Sequence, residues 1–295
     1  MDGWLIVNDF LKSEKFDLIY NWLEVAAEHR GHKLIRKSNV EAMTTIDSGQ
    51  ISDGGPKEDK PGYLIFWDKD VRLAKTLETK GLRLFNSAKS IEVCDDKAMT
   101  HILLANTGIR MPKTIVAPMT FQNIGYADYS FLDRVIGEIG FPIVVKECYG
   151  SFGQQVYLAE DYDALIDIVV QIGTKPMLFQ EFISSSKGRD IRINVVGSEP
   201  VATMLRYSTS DFRSNVSNGG RMERYKPSKA QVDVAIKVCE HLSLDFAGVD
   251  ILFGEDEEPI LCEVNSGAQF KSTYDCTGVN VADHIIDHIC QEMER

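Results

Sequence analysis

The sequence predicts a mixed α/β protein, with a parallel-sheet unit first and two smaller α+β units after it. Apolar strand patterns alternate with amphipathic helix patterns across residues 1–90, which is typical of parallel strands joined by crossover helices. Two hairpin patterns in the last third indicate antiparallel pairing there. Because 295 residues exceed the usual size of one domain, we expect the units to pack around a shared cleft.

The first unit, residues 1–90, has a β–α–β order of elements. Its predicted strands are 4–10, 32–40, 63–70 and 83–94. Its predicted helices are 16–31, which ends at Gly31, and 70–81. The stretch 44–62 is rich in Gly, Pro, Asp and Lys, and we predict a polar loop there.

A connecting segment, residues 91–111, leads to a central unit, residues 112–184. The connecting helix is predicted at 95–108, with Asp95 as its N-cap and Gly108 as its C-terminal stop. The predicted elements of the central unit are two strands within 141–160 joined by a glycine-containing loop, a helix at 161–173 and a strand at 177–183.

The last unit, residues 185–295, combines two hairpins with two helices. Its predicted elements are a hairpin at 191–208 that turns at Gly197 and Pro200, a helix near 228–242, a hairpin at 245–265 and a closing helix at 280–294.

Composition limits the partners of the chain. The formal net charge of −12 disfavours a nucleic-acid surface, which needs clustered Lys and Arg. The six cysteines lack CxxC spacing, and His284 and His288 lack a third ligand, so we expect reduced thiols and no zinc site. No stretch approaches the roughly 20 apolar residues of a membrane span. We therefore expect a cytoplasmic protein without a nucleic-acid or membrane partner, and a homo-oligomer stays open.

The hairpin at 245–265 suggests a metal site. A turn symmetric about the point between Asp256 and Glu257 places Asp250 directly opposite Glu263, on the same sheet face. Asn265 shares that face because side chains alternate along a strand. Magnesium prefers such oxygen donors, although acidic strand residues more commonly form a solvated face.

Lys146 and the glycines after it suggest a phosphate site. Lys146 interrupts an apolar run, and Gly150 and Gly153 permit close approach of the backbone to a ligand. A lysine beside such a loop suits phosphate. An ordinary flexible hairpin has the same pattern, however, and the segment is not a P-loop.

Arginines in the last unit suggest that an anion binds nearby. Arg192 and Arg206 lie on the strands of the first hairpin, and residues 211–220 form a polar loop that contains a further arginine. A guanidinium fork suits a carboxylate or a phosphate. The same pattern fits either an anion pocket or a polar loop that only covers the fold.

Eight short segments, taken in order, resemble the ATP-grasp superfamily, with the RimK-type ligases as the most similar branch. They are DK at 96–97, VVK at 144–146, GSFG at 150–153, QEFI at 180–183, KGRDIR at 187–192, DFRSN at 211–215, GVDIL at 248–252 and CEVN at 262–265. The resemblance spans about residues 90 to 290. It implies an ATP-grasp fold, with residues 112–184 as the ATP lid and residues 185–295 as the metal-bearing unit.

The resemblance also implies roles for individual residues. The nucleotide-binding set comprises Lys97, Lys146, Gly150, Ser151, Phe152, Gly153, Gln180, Glu181, Phe182, Ile183, Lys187, Asp190 and Arg192. Asp250, Glu263 and Asn265 become ligands of magnesium or manganese, in agreement with the hairpin argument. Arg206, Arg213 and Asn215 are expected near the transferred phosphoryl group, where positive charge stabilises developing negative charge.

The implied reaction joins a carboxylate to an amine. The carboxylate attacks the γ-phosphorus of ATP, ADP leaves, and the amine captures the acyl phosphate. The partners are therefore ATP, a carboxylate substrate and an amine substrate such as an amino acid, peptide or carrier. Glutamate is favoured as the added amino acid by kinship alone.

The chain departs from the family pattern at two places. Residues 266–270 follow the EVN segment without the usual proline, and the loop before DFRSN is one residue shorter than expected. The first departure leaves the identity of the acid and amine open, and the second affects the placement of Arg206.

A nucleotide-binding regulatory protein without turnover is the alternative function. A dinucleotide-dependent oxidoreductase ranks last because GxGxxG does not follow the first strand.

Overall fold

The computed structural model of the protein describes residues 2–53, 60–216 and 219–295. The first part of the chain contains β1 (Asp2–Val7), α1 (Glu14–His29), β2 (Lys33–Ser38), β3 (Thr44–Asp47), β4 (Gln50–Asp53), β5 (Tyr63–Trp67), α2 (Val71–Thr79), β6 (Leu84–Phe85) and α3 (Ala88–Asp95). The middle part contains α4 (Lys97–Leu104), β7 (Thr114–Val116), α5 (Phe131–Ile139), β8 (Ile143–Glu147), β9 (Val156–Ala159), α6 (Tyr162–Ile172) and β10 (Met177–Glu181). The last part contains β11 (Arg189–Val196), β12 (Glu199–Tyr207), β13 (Arg221–Arg224), α7 (Lys229–His241), β14 (Phe246–Phe253), β15 (Pro259–Asn265), α8 (Lys271–Thr277) and α9 (Val281–Glu294).

Three sheets form the framework. The N-terminal sheet has the order β2-β1-β5-β6 and is parallel throughout. The central sheet, β7-β10-β8-β9, and the C-terminal sheet, β13-β12-β11-β14-β15, are antiparallel. This arrangement confirms the predicted α/β class. Each of these sheets lies within one of the units predicted from the sequence, whose boundaries stay a prediction.

The closing helix returns to the N-terminal sheet. α9 packs beside α1, and the guanidinium of Arg30 binds the carboxylates of Asp283 and Asp287 across that contact. One hydrophobic core therefore joins α1, β1 and β5 to α9 and to the aromatic rings of Phe246 and Phe270. The two ends of the chain are held together by burial of apolar surface.

Three local predictions are wrong. Most of segment 83–94 is not a strand, because β6 has only two residues and Ser87 then caps α3 by accepting a hydrogen bond from the Ser90 amide. The loop predicted at 44–62 contains the hairpin β3–β4, while its residues 54–59 lie outside the described residues. Both ends of the connecting helix differ from the prediction: Asp96 rather than Asp95 is the N-cap of α4, since its carboxylate accepts from the backbone N–H groups of Ala98 and Met99, and the helix ends at Leu104, before Gly108.

The remaining predicted helices and hairpins are present, and β7, α5, β13 and α8 are additional elements. Among the residues that the structure describes, none of the helices is both long and apolar enough to cross a membrane.

Candidate active site

Three strands of the C-terminal sheet place charged residues on one face. Arg192 of β11 lies opposite Asp250 of β14, and Asp190 of β11 lies opposite Arg206 of β12. Asp190 and Arg192 are two residues apart and therefore share a face of the sheet. The antiparallel register thus gathers two carboxylates and two guanidinium groups into one cluster.

The predicted pairing of Asp250 with Glu263 is confirmed, but the turn is not symmetric. Between Ile251 and Asp250 the register shifts, because Ile251 pairs with Leu261 while Asp250 pairs with Glu263. Cys262 is the extra residue of this bulge. The centre of the turn differs from the predicted one, and the extra residue shifts the pairing back so that Glu263 lies opposite Asp250 as predicted.

Ion pairs hold the charged cluster in position. Asp250 accepts two hydrogen bonds of 2.7 Å from Arg192 and lies 2.9 Å from a nitrogen of Arg206. Arg206 also donates two hydrogen bonds of 2.7 Å to Asp190. Bidentate contacts of this kind fix the direction of both side chains.

Burial and charge oppose each other in this cluster. Burial alone would raise the pKa of Asp250, but the charges and hydrogen bonds of Arg192 and Arg206 outweigh it and lower that pKa. Burial would likewise lower the pKa of Arg206, but Asp190 and Asp250 raise it. The carboxylate of Asp250 therefore stays ionised, as a metal ligand requires.

The three predicted metal ligands fit magnesium by their donor types. Asp250 and Glu263 supply hard carboxylate oxygens from opposed positions, and Asn265 supplies an amide whose buried nitrogen has no hydrogen-bond partner among the described residues. Within those same residues, no three His, Cys, Asp or Glu side chains are grouped closely enough to hold a metal alone. Both oxygens of Asp250 also bind arginine, so a cation would share this carboxylate.

Two buried lysines lie beside the acidic strand β15. The ammonium nitrogen of Lys97 is 3.7 Å from a carboxylate oxygen of Glu263 and 3.4 Å from the carbonyl oxygen of Gly150. The ammonium nitrogen of Lys146 is 3.9 Å from the sulfur of Cys262. Each lysine is 8% exposed, so both charges are largely shielded from bulk solvent.

The glycine-containing loop between β8 and β9 is held on two sides. On one side, Arg213 donates hydrogen bonds to the carbonyl oxygens of Gly153, at 2.7 Å, and Val156, at 3.3 Å. On the other side, Lys69 donates a hydrogen bond of 3.3 Å to the Ser151 hydroxyl. A side chain at Gly150 would overlap Gln155, so this loop needs glycine there.

Two cavities meet at this cluster. The smaller cavity, of about 100 Å³, lies between the central and C-terminal sheets, and the larger, of about 550 Å³, extends toward the N-terminal sheet. The residues that line both cavities are Gly153, Arg206, Asn215 and Glu263. The two spaces therefore adjoin where a cation, a polar amide and a carboxylate come together.

The structure brings most of the predicted site residues to these cavities. Those that line the smaller cavity are Lys146, Gly153, Gln180, Glu181, Phe182, Ile183, Asp190, Arg206, Arg213, Asn215, Asp250 and Glu263. Those that line the larger cavity without reaching the smaller one are Ser151, Phe152, Arg192 and Asn265. Lys97 and Gly150 line neither but contact each other at the edge of the cleft. Lys187 is exposed and lines neither cavity.

The sequence reasoning missed the contribution of the N-terminal sheet. Asn8, Asp68 and Lys69 follow β1 and β5 and line the larger cavity. The amide of Asn8 donates to both oxygens of Asp68, at 3.2 and 3.3 Å, and burial raises the pKa of Asp68. Polar residues directly after buried parallel strands were the available signal, because ligands bind at the carboxyl ends of such strands.

Comparison with known proteins places this chain in a family. The model of the RimK-like ATP-grasp domain matches residues 94–289. An uncharacterized protein, MG012 of Mycoplasma genitalium, is 31% identical over 288 residues, which cover 94% of this chain and 100% of that protein. Human N-acetylaspartylglutamate synthase A is 34% identical over 223 residues, covering 75% of this chain and 56% of that protein. This chain therefore spans little more than half the length of that synthase.

A solved structure shares the whole fold. The crystal structure of a RimK domain ATP-grasp protein from Sphaerobacter thermophilus has a TM-score of 0.74 and 22% sequence identity, and covers 98% of this chain and 99% of that chain. At this level of identity the likeness concerns the fold. The predicted ATP-grasp fold is confirmed.

Proposed function

The chain belongs to the RimK-like ATP-grasp family of ligases, and on that premise we propose that it forms an amide bond through an acyl-phosphate intermediate. In this proposal ATP phosphorylates a carboxylic acid, an amine displaces the phosphate, and ADP and phosphate are released. The amine is glutamate or another amino acid, because a relative with this domain is a synthase of N-acetylaspartylglutamate. The proposal concerns the described cleft and its two cavities.

The junction of the two cavities carries this proposal. A phosphoryl group must pass from a nucleotide to a second substrate without leaving the protein, so the two binding spaces must meet. Here they meet at Gly153, Arg206, Asn215 and Glu263. Arg206 is only 3% exposed, so water screens its charge weakly, and the carboxylates of Asp190 and Asp250 bind its guanidinium from the protein side.

The lining of the smaller cavity suits a nucleotide. Its apolar walls include Val144, Ile183 and Leu252, which would flank a base, and Lys146 would hold phosphate oxygens. Arg213 would place the backbone of the glycine-containing loop over the phosphates, because it binds the Gly153 carbonyl. Asp250, Glu263 and Asn265 would hold magnesium or manganese, which neutralises phosphate charge when bound.

The larger cavity suits the acid and the amine. It holds cationic groups from Arg192 and Arg206 near the junction, where a carboxylate would be oriented for attack on the γ-phosphorus. Asp68 also lines this cavity and offers a carboxylate to an ammonium group. Once Asp68 had taken a proton from that group, the amine nitrogen would form the bond to the acyl carbon as the bond from that carbon to the phosphate oxygen breaks, and the released phosphate would take the second proton.

The proposal is tested by product analysis. The full-length protein is incubated with magnesium, ATP and glutamate, together with a panel of carboxylic acids that includes N-acetylaspartate and citrate. We expect ADP and phosphate in equal amounts, with a product mass equal to the two substrates minus water. AMP and pyrophosphate would overturn the acyl-phosphate proposal. ATP binding without product across the panel would favour the regulatory alternative.

A further inference from the structure

A buried chain of hydrogen bonds lies behind the smaller cavity. The side chain of Gln180 is 1% exposed, and its Nε2 atom is 2.9 Å from the Thr114 hydroxyl and 3.0 Å from Nε2 of His101. The Thr114 hydroxyl is in turn 2.8 Å from the carbonyl oxygen of Pro112. Gln180 and Thr114 are directly opposite each other on β10 and β7, which fixes this contact.

Proton counting sets the orientation of the Gln180 amide. The Thr114 hydroxyl has one proton, and the Pro112 carbonyl can only accept it. The hydroxyl must therefore accept its other hydrogen bond, so the Gln180 atom that faces it is the NH₂ group. The second proton of that group then points to His101.

His101 is suited to accept that proton. Burial, reinforced by the charge of Lys146, lowers the pKa of His101 to about 4, so the ring is neutral at physiological pH. Its Nδ1 atom has no hydrogen-bond partner among the described residues, so contacts of Nδ1 do not show which of the two ring nitrogens carries the proton. The NH₂ group of Gln180 does decide, because it requires an acceptor at Nε2 and thus the proton at Nδ1.

The carbonyl oxygen of Gln180 is left for the cavity. Within the described part of the chain it accepts no hydrogen bond, and Gln180 lines the smaller cavity beside Val144 and Ile183. Thr114 and His101 do not line that cavity and reach a ligand only through Gln180.

We propose that Thr114 and His101 orient Gln180 so that its carbonyl oxygen accepts a hydrogen bond from the 6-amino group of adenine and opposes the 6-oxo group of guanine. This inference rests on the proposed function, since it assumes that a nucleotide occupies the smaller cavity. Gln180 is then a determinant of base specificity, and Thr114 and His101 are positioning residues. If the amide were rotated, Gln180 would instead present its NH₂ group to the cavity and would favour the 6-oxo group of guanine.

The test compares two substitutions of Thr114. Thr114→Val keeps the shape but removes the hydroxyl that specifies the amide orientation, whereas Thr114→Ser retains it. Calorimetry measures binding of ATP, GTP and purine ribonucleoside triphosphate, which lacks the 6-amino group, to the full-length protein with magnesium. Thermal unfolding checks that both variants are folded.

We expect the wild type to bind ATP about 100-fold more tightly than GTP. With GTP, the carbonyl oxygen of Gln180 and the 6-oxo group of guanine are both acceptors, so both are left without a hydrogen bond. Thr114→Val should reduce this preference about tenfold and weaken discrimination against purine ribonucleoside triphosphate, while Thr114→Ser should retain the wild-type pattern. Equal ATP preference in both variants would overturn the inference. Because binding is measured without turnover, retained base preference in a protein that forms no amide would instead count against the proposed function alone.

Discussion

The guanidinium of Arg192 donates two hydrogen bonds of 2.7 Å to the carboxylate of Asp250. Arg206 approaches the same carboxylate from the neighbouring strand, at 2.9 Å. Asp250 is thus a buried anion compensated by two cations before any ligand is considered. Removing its charge has consequences both for folding and for the proposed metal site.

Asp250→Asn should reduce stability and abolish turnover. The substitution removes the carboxylate partner of the partly buried Arg192 and leaves the buried Arg206 with Asp190, and we expect a loss of about 3 kcal/mol in the free energy of unfolding. Denaturant unfolding in the presence of a chelator measures this loss without metal binding. Asp256→Asn, in the exposed turn of the same hairpin, is the control and should match the wild type in both measurements. Wild-type stability in Asp250→Asn would contradict the ion-pair account.

Lys146→Ala should weaken the use of ATP. The ammonium group is buried beside the smaller cavity, and we propose that it binds phosphate, so its loss should raise KM for ATP about 10- to 100-fold. The control is Lys175→Ala, which removes a lysine that binds Glu147 at 3.1 Å and lines neither cavity. An unchanged KM for ATP in Lys146→Ala would remove the lysine from the proposed nucleotide site.

Arg213→Ala should loosen the glycine-containing loop as well as slow the reaction. Its hydrogen bonds to the carbonyl oxygens of Gly153 and Val156 are lost, so amide hydrogen exchange across residues 150–156 should accelerate. Turnover should fall at least about 100-fold if the charge also stabilises the transferred phosphoryl group. Arg221→Ala, at an exposed position of β13, serves as the control. Normal exchange in Arg213→Ala would mean that the loop is held by other contacts.

Acid should destabilise the protein through His101. Its pKa falls from an ordinary value of 6.5 to about 4 in the fold, so between these values the unfolded chain binds more protons than the native state. The stability associated with the neutral ring is present above pH 6.5 and is lost as the pH falls toward 4, by about 3 kcal/mol.

His101→Gln should flatten this pH dependence. Denaturant unfolding at several pH values between 4 and 8 measures the slope, and each protein is normalised to its own stability at pH 8. If the variant and the wild type lose stability equally over this range, the titration must be assigned to other groups.

Local pairing could be predicted from the sequence, whereas pairing between distant strands could not. The contact of Asp250 with Glu263 follows from one hairpin, and it was found even though the turn is offset, because the bulge at Cys262 cancels the offset. The contact of Arg192 with Asp250 depends on how β11 and β14 meet, and that register is set by tertiary packing.

Two errors in the predicted secondary structure have causes that can be identified in the sequence. The hairpin β3–β4 turns at Ser48 and Gly49, both with positive φ, and a Ser-Gly pair between two short strand patterns was a recognisable turn signal. Segment 83–94 was predicted as a strand because its first residues are apolar. Ser87 was not identified as a helix cap, although apolar residues recur after it with helical spacing. The residues proposed for the nucleotide site came from the resemblance, while the contribution of Asn8 and Asp68 to the larger cavity required the position of the N-terminal sheet.

The most direct test of the central claim follows an oxygen atom. A carboxylic acid that the protein accepts is labelled with ¹⁸O in its carboxylate and incubated with magnesium, ATP and the amine, and the phosphate released is analysed by mass spectrometry. Passage of the phosphoryl group across the junction at Arg206 and Glu263 predicts one ¹⁸O atom in each phosphate. The appearance of ¹⁸O in AMP, or product formation with unlabelled phosphate, would contradict phosphoryl transfer to the acid.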